Sequence, residues 1–179
     1  MAYYDYNLLE ALEADNATTY IQDRWADAKT VEDIYGMDFR ILLTVSAVET
    51  GWGKHVKHNN YFGIKYAKNM KNKLITTTEY LSHRNYKFPE IISITPVTRK
   101  GKPMFKYIVK DYFSVYPTPF DSFKGYYQFL EDNPRYKTAL EFKHDPRRFF
   151  EEVAKAGYAT APNYADILKQ VFNSVNRRL

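Results

Sequence analysis

Residues 49–65 read Glu-Thr-Gly-Trp-Gly-Lys-His-Val-Lys-His-Asn-Asn-Tyr-Phe-Gly-Ile-Lys, and they begin where an apolar helix runs out. Asp38 is a candidate N-cap, and Phe39 to Thr50 follow a helical period with Ile41, Leu42, Val45 and Val48 as the buried stripe. At about 100° per residue, Glu49 falls within roughly 20° of Leu42 and about 40° of Val45, so its carboxylate is expected to point inward. Burial raises a carboxyl pKa, and a place in the last helical turn, beside unpaired carbonyls, pushes it the same way. An acid still protonated near neutral pH is what cleavage of a glycosidic bond requires. The stretch is therefore read as the floor of an active-site cleft.

Working outward, 179 residues suffice for one domain with a sizeable core. The 17 Tyr and 12 Phe exceed what such a core needs, so some rings are expected to line a groove. A net charge of +5 favours a polyanionic partner, whether cell-wall polymer, nucleic acid or membrane surface, without choosing among them. The absence of cysteine excludes disulfides and thiolate metal sites. Met1 to Asn7 has no basic stretch followed by an apolar one, and no apolar run approaches about 18 residues. A soluble chain without a Sec-type signal, not inserted in a membrane, is expected.

Residues 7–28 read as one or two short helices, with Leu8, Leu9 and Leu12, then Ile21 and Trp25, at helical spacings and a break at Asn16-Ala17-Thr18. Thr30-Val31-Glu32-Asp33 resembles a capping box opening a short turn of helix that Gly36 closes. From Lys73 to about Tyr116 the period becomes extended, with β-branched and aromatic runs at 74–81, 91–98 and 104–115 and a hairpin turn at Arg99-Lys100-Gly101-Lys102. Ser82 to Lys87 is taken as a mobile loop without chemistry. After Pro117 and Pro119, Asp121 or Ser122 is the expected cap of a helix that Asn133-Pro134 ends. A short helix over 136–142 follows, then one opened by Asp145-Pro146 and stopped by Gly157. The last helix carries the stripe Tyr164, Ile167, Leu168, Val171, Phe172 and Val175. The expected fold is α+β, mainly α: one domain over 1–179, with a helical extension at 1–37 and an inserted antiparallel β-lobe at 73–116.

The Glu49-Thr-Gly-Trp-Gly segment followed by Asn59-Asn-Tyr-Phe-Gly-Ile-Lys65 resembles the glycoside hydrolase family 73 N-acetylglucosaminidases, peptidoglycan hydrolases of the autolysin and flagellar muralytic type. Weaker matches follow in the family's order at Thr76 to Tyr80, Tyr112 to Leu130, Asn133 to Tyr136 and Ala156-Gly-Tyr-Ala-Thr160. The resemblance implies a lysozyme-like helical domain whose β-lobe forms one side of the cleft. It implies an endo-β-N-acetylglucosaminidase that cleaves the β-1,4 bond after N-acetylglucosamine in peptidoglycan glycan strands. No cofactor, nucleic acid or membrane insertion is implied. The substrate lies outside the cytoplasmic membrane, so without a signal peptide the chain is expected to be phage-borne, released by lysis or exported by a specialised route.

Carried over residue by residue, Glu49 matches the family's catalytic acid and Glu79 its second acidic residue. Glu79 acts there either as the base of an inverting reaction or as an assistant to attack by the substrate's own 2-acetamido group. Tyr158 matches the tyrosine of the Gly-Tyr-Ala-Thr motif, a phenol able to orient water or the acetamido group. The family places an acidic residue where this chain has Ala161, so Asn163 is expected to take over any cap or substrate contact. Trp52, Tyr61 and Phe62 are candidates for stacking on sugars, with Phe62 expected to be the buried one, and Asn60 for binding acetamido groups or building a turn. His55 and His58 lack the intervening Glu and the spacing of zinc peptidases, so no metal site is expected. Arg147-Arg148 and Arg177-Arg178 read as solvated helix-end charges. A muramidase, a lytic transglycosylase or a non-catalytic glycan-binding module are the rival readings.

Overall fold

Asn16 leads into α1 (Ala17–Tyr35), the first helix among the described residues of the computed structural model, which are 16–66, 70–99, 101–159 and 161–179. The expected helix at Leu8, Leu9 and Leu12, and parts of the motifs at Lys100 and Thr160, lie outside the described residues. The turn expected to open at Thr30 does not form. The Thr30 hydroxyl donates to the Ala26 carbonyl at 2.8 Å, one turn back, so α1 runs through it unbroken. Gly36, at φ 72°, ends the helix.

The chain divides into two compact units, residues 1–64 with 116–179 and residues 65–115. In the first, α2 (Phe39–Thr50) is capped by Asp38, whose side chain accepts the Arg40 N–H at 2.9 Å. Every residue from Ile41 to Thr50 is buried, so α2 is enclosed on all sides instead of presenting one stripe. It packs against α1 and the last helix. The next helix, α3 (Pro119–Asp132), starts with Thr118 as its cap, earlier than the expected Asp121 or Ser122. Pro119 suits the first helical turn, and Asp121 closes a capping box by accepting the Thr118 N–H at 3.1 Å. A 3-10 turn (Pro134–Tyr136), α4 (Lys137–Glu141), α5 (Pro146–Lys155, capped by Asp145) and α6 (Tyr164–Asn176) complete the unit.

The second unit is a three-stranded antiparallel sheet ordered β1-β3-β2, from β1 (Asn72–Leu81), β2 (Glu90–Arg99) and β3 (Lys102–Ser114). Alternate residues of its inner face are buried: Thr77, Glu79 and Leu81 on β1, and Tyr107, Val109 and Phe113 on β3. Glu79 stands directly opposite Tyr107. The segment after β1, read as a mobile loop, is tied to this face, because the Tyr107 hydroxyl donates to the His83 carbonyl at 2.9 Å and Tyr86 stacks on His83.

Candidate active site

In the helical unit, Glu49 stands in the last turn of the enclosed helix and is 5% exposed. Tyr164, the first residue of α6, donates its hydroxyl to Glu49 Oε1 at 2.8 Å. Burial pushes the Glu49 carboxyl up to about 7, and the Tyr164 hydrogen bond, which favours the charged form, pulls partly the other way. A protonated fraction therefore persists near neutral pH, as a proton donor requires. The phenols of Tyr126, Tyr158 and Tyr164 are all raised, first by burial and then by neighbours that include Glu49, so they stay neutral around it. The Tyr126 hydroxyl is buried and has no hydrogen-bond partner.

The chain leaves α2 through Gly51 and Gly53, with Trp52 between them also at positive φ, 56°. Trp52 is 1% exposed, its ring edge-on to Tyr20 at 5.9 Å. Contrary to the expectation that it stacks on sugar, it offers no open face, because the left-handed turn folds the indole back into the helices. Phe62 is fully buried as expected, stacked on Tyr126 at 4.3 Å. Of the three rings only Tyr61 keeps partial exposure, packed by Phe123 at 5.7 Å with the Arg24 guanidinium 5.4 Å from its centroid.

Asn60 is a turn builder. Its amide donates to the Ile64 carbonyl at 2.8 Å and accepts the Ile64 N–H at 3.1 Å, closing the turn on both sides. The backbone on either side is pinned as well, by Asn59 to the Tyr116 and Pro117 carbonyls and by the Tyr61 N–H to Ser122 Oγ. Tyr158, 1% exposed, donates its hydroxyl to the Phe62 carbonyl at 2.9 Å and lies 6.1 Å from the Tyr164 ring. It thus links the Gly-Tyr-Ala segment to the Tyr-Phe-Gly turn, with its hydroxyl committed to the backbone. Asn163 precedes α6 and is exposed, but its side chain makes no capping bond, so the expected replacement cap is not formed.

In the β unit, Glu79 is 1% exposed. Lys65 Nζ lies 3.3 Å from Glu79 Oε1 and 2.8 Å from Asp111 Oδ2, and 5.5 and 5.7 Å from the ring centroids of Phe88 and Phe113. Glu79 Oε2 has no hydrogen-bond partner. Burial pushes the Glu79 carboxyl up to about 7 against the pull of Lys65, with Asp111 adding to the rise. Sequence reasoning missed three of these groups. Tyr164 read as one member of a core stripe, and Lys65 and Asp111 carried no signal as partners of Glu79. Among the described residues no group of three His, Cys, Asp or Glu side chains could hold a metal, and no helix is long and apolar enough to cross a membrane.

The sequence model of the Glucosaminidase family, described as mannosyl-glycoprotein endo-beta-N-acetylglucosaminidase, matches residues 25–177. Over 163 residues the chain is 32% identical to the peptidoglycan hydrolase FlgJ of Vibrio parahaemolyticus, covering 88% of this chain and 47% of the relative. The chain thus spans about half the length of the curated relatives it matches. Among solved structures, a mutant peptidoglycan hydrolase from Sphingomonas sp. A1 matches with a TM-score of 0.65 at 24% identity, over 90% of this chain and 97% of that one. The glycoside hydrolase domain of Salmonella typhimurium FlgJ matches with a TM-score of 0.61 at 22% identity, over 90% and 89%. These two show a shared fold: helices with a small antiparallel sheet.

Proposed function

The chain belongs to the Glucosaminidase family of glycoside hydrolases, and on that premise we propose that it is a peptidoglycan hydrolase, an endo-β-N-acetylglucosaminidase that cleaves the β-1,4 bond after N-acetylglucosamine. The observation that carries the reading is Glu49, a carboxyl buried at a helix end, hydrogen-bonded by the Tyr164 phenol and pushed by burial up to about 7. A binding module gains nothing from such a group, whereas glycoside cleavage needs it.

In the proposed reaction the Glu49 carboxylic acid gives its proton to the glycosidic oxygen. The bond from C1 to that oxygen breaks, the leaving strand departs as an alcohol, and Glu49 is left as a carboxylate. Positive charge at C1 is quenched by water, whose proton passes to a second carboxylate, or first by the substrate's acetamido oxygen. Glu79 is proposed as that second carboxylate, supported by its burial and its unpartnered Oε2. Tyr61 is the proposed sugar-contacting ring, since it alone of the three candidates retains exposed surface. Tyr158 and Asn60 are proposed to act on the substrate through the shape of the turn they hold. Asn163, with an unengaged side chain, is proposed as a substrate contact. Action on peptidoglycan places the working enzyme outside the cytoplasmic membrane.

Reducing-end analysis of digested cell wall tests the assignment. New reducing ends on N-acetylglucosamine are expected. Reducing ends on muramic acid, or a 1,6-anhydromuramic product, would replace it by a muramidase or a lytic transglycosylase.

A further inference from the structure

Charge is distributed unevenly along the chain. Residues 65–115 hold eleven Lys and Arg against three Asp and Glu, a formal +8 in a chain whose total is +5, so the remainder is net acidic at −3. All three acids of the β unit are engaged, Glu79 and Asp111 by Lys65 and Glu90 by Lys110 at 2.9 Å. Among the described residues Lys71, Lys73, Arg84, Lys87, Lys102 and Lys106 have no ion-pair partner.

Strand β3 arranges part of this excess. Its outward face reads Lys102, Met104, Lys106, Ile108, Lys110 and Tyr112, all partly or fully exposed, while the alternate residues Tyr107, Val109 and Phe113 are buried. Lysines recur at every fourth residue, about 13 Å apart at about 3.3 Å per residue, with an apolar side chain between each pair. The register sets Thr76 and Glu90 on either side of Lys110, and Tyr80 and Thr95 on either side of Lys106. Lys110 meets Glu90 only at the surface, where an ion pair is worth about 0–1 kcal/mol and exchanges readily with another carboxylate.

The uncharged sugar rings of a glycan backbone offer lysine no counter-charge. The peptide arms attached to a cell-wall glycan do, for they carry carboxylates interspersed with alanyl methyl groups. A row one strand wide, lying between the two outer strands of the sheet, suits such an extended chain better than a flat lipid surface. We propose that the outward face of β3 is a docking surface for the peptide arms of peptidoglycan, with Lys102, Lys106 and Lys110 pairing with their carboxylates and Met104 and Ile108 packing against their methyl groups. The proposal rests on peptidoglycan being the substrate and adds the part of it that is recognised.

Co-sedimentation of the full chain on ice with intact cell-wall sacculi, with chitin as an uncharged β-1,4-linked N-acetylglucosamine polymer that carries no peptide, and with vesicles rich in anionic lipid tests it. Binding to intact wall is expected to weaken about tenfold when Lys102, Lys106 and Lys110 are all changed to Gln, and again when salt is raised. The corresponding Lys→Arg triple variant should restore it, and chitin should bind the wild type and the Gln variant alike. Should the triple Gln variant fail to fold, K102Q/K106Q must still weaken binding to intact wall. Equal binding of intact wall and chitin, unchanged binding by the Gln variants, or tighter binding to vesicles than to intact wall would overturn the proposal. Salt-dependent binding to intact wall by a protein that releases no N-acetylglucosamine reducing ends would sink the glucosaminidase reading and leave this one standing.

Discussion

The hydroxyl of Tyr164 lies 2.8 Å from Glu49 Oε1, joining the first residue of the last helix to the last turn of the central one across 115 positions of sequence. The bond favours the carboxylate, so Tyr164 is a positioning residue that limits how far burial raises Glu49. Tyr164→Phe keeps the ring and removes the donor. The Glu49 midpoint should rise, carrying the high-pH limb of the kcat/KM profile to higher pH, and stability should fall by about 1 kcal/mol. A profile that drops in height without moving would show that the hydroxyl does not act through Glu49.

Glu49→Gln should abolish turnover, by roughly a thousandfold or more, while the fold and glycan binding survive. The same variant isolates a stability effect. With a folded value of about 7 against an ordinary 4.5, native Glu49 holds its proton more tightly than the unfolded chain does. Its contribution to stability is full below pH 4.5, falls as pH rises across 4.5 to 7, and is lost above. At about 1.36 kcal/mol per pKa unit this amounts to about 3 kcal/mol. Thermal unfolding of the wild type should therefore weaken from pH 5 to pH 8, and the variant should show a flatter curve. Retained lytic activity would remove Glu49 as the acid.

Asp111 and Lys65 should move Glu79 in opposite directions. Lys65 lowers the Glu79 midpoint and Asp111 raises it. Asp111→Asn, which keeps an oxygen able to accept the Tyr112 N–H, should lower the midpoint seen by carbon-detected NMR, and Lys65→Met should raise it. Shifts of the same sign in both variants would mean that the 2.8 and 3.3 Å contacts do not persist in solution. Glu79→Gln should reduce activity if Glu79 activates water. A near-normal rate would point to attack by the acetamido group.

Much of this architecture was legible in local chemistry. The Asp38 and Asp145 caps, the three extended runs and the α6 stripe each follow from neighbours a few residues apart, which is the range over which period and capping act. Glu49 was found by helical phase, although the structure buries α2 on every side, so its inward position follows from where the helix lies as much as from its phase. The misreadings have two causes, a local competing conformation and a pairing with distant residues. The Thr30 hydroxyl had a competing local acceptor in Ala26, Trp52 was turned inward by a left-handed backbone, and the partners of Glu49 and Glu79 come from distant segments. A single sequence carries no trace of such tertiary pairings.

Gly125 provides a test of packing away from any titrating group. It lies within α3, where glycine costs about 1 kcal/mol relative to alanine, so propensity alone would predict that Gly125→Ala stabilises the protein. Tyr116, however, is 3% exposed and its ring lies across this position. An added Cβ would stand 2.6 Å from Tyr116 Cε1 and 3.0 Å from its hydroxyl oxygen, closer than carbon atoms approach without something shifting. Tyr116 cannot simply swing aside, because its ring is buried and its main chain is fixed by the N–H bond to the His58 carbonyl and the carbonyl bond from Asn59. The clash should outweigh the propensity gain, and Gly125→Ala should lose about 1–3 kcal/mol in denaturant unfolding. Replacing the ring by a smaller side chain separates the two effects. If overpacking is the cause, Gly125→Ala in a Tyr116→Leu background should cost much less than in the wild type, whereas equal costs in both backgrounds would place the penalty in the helix itself.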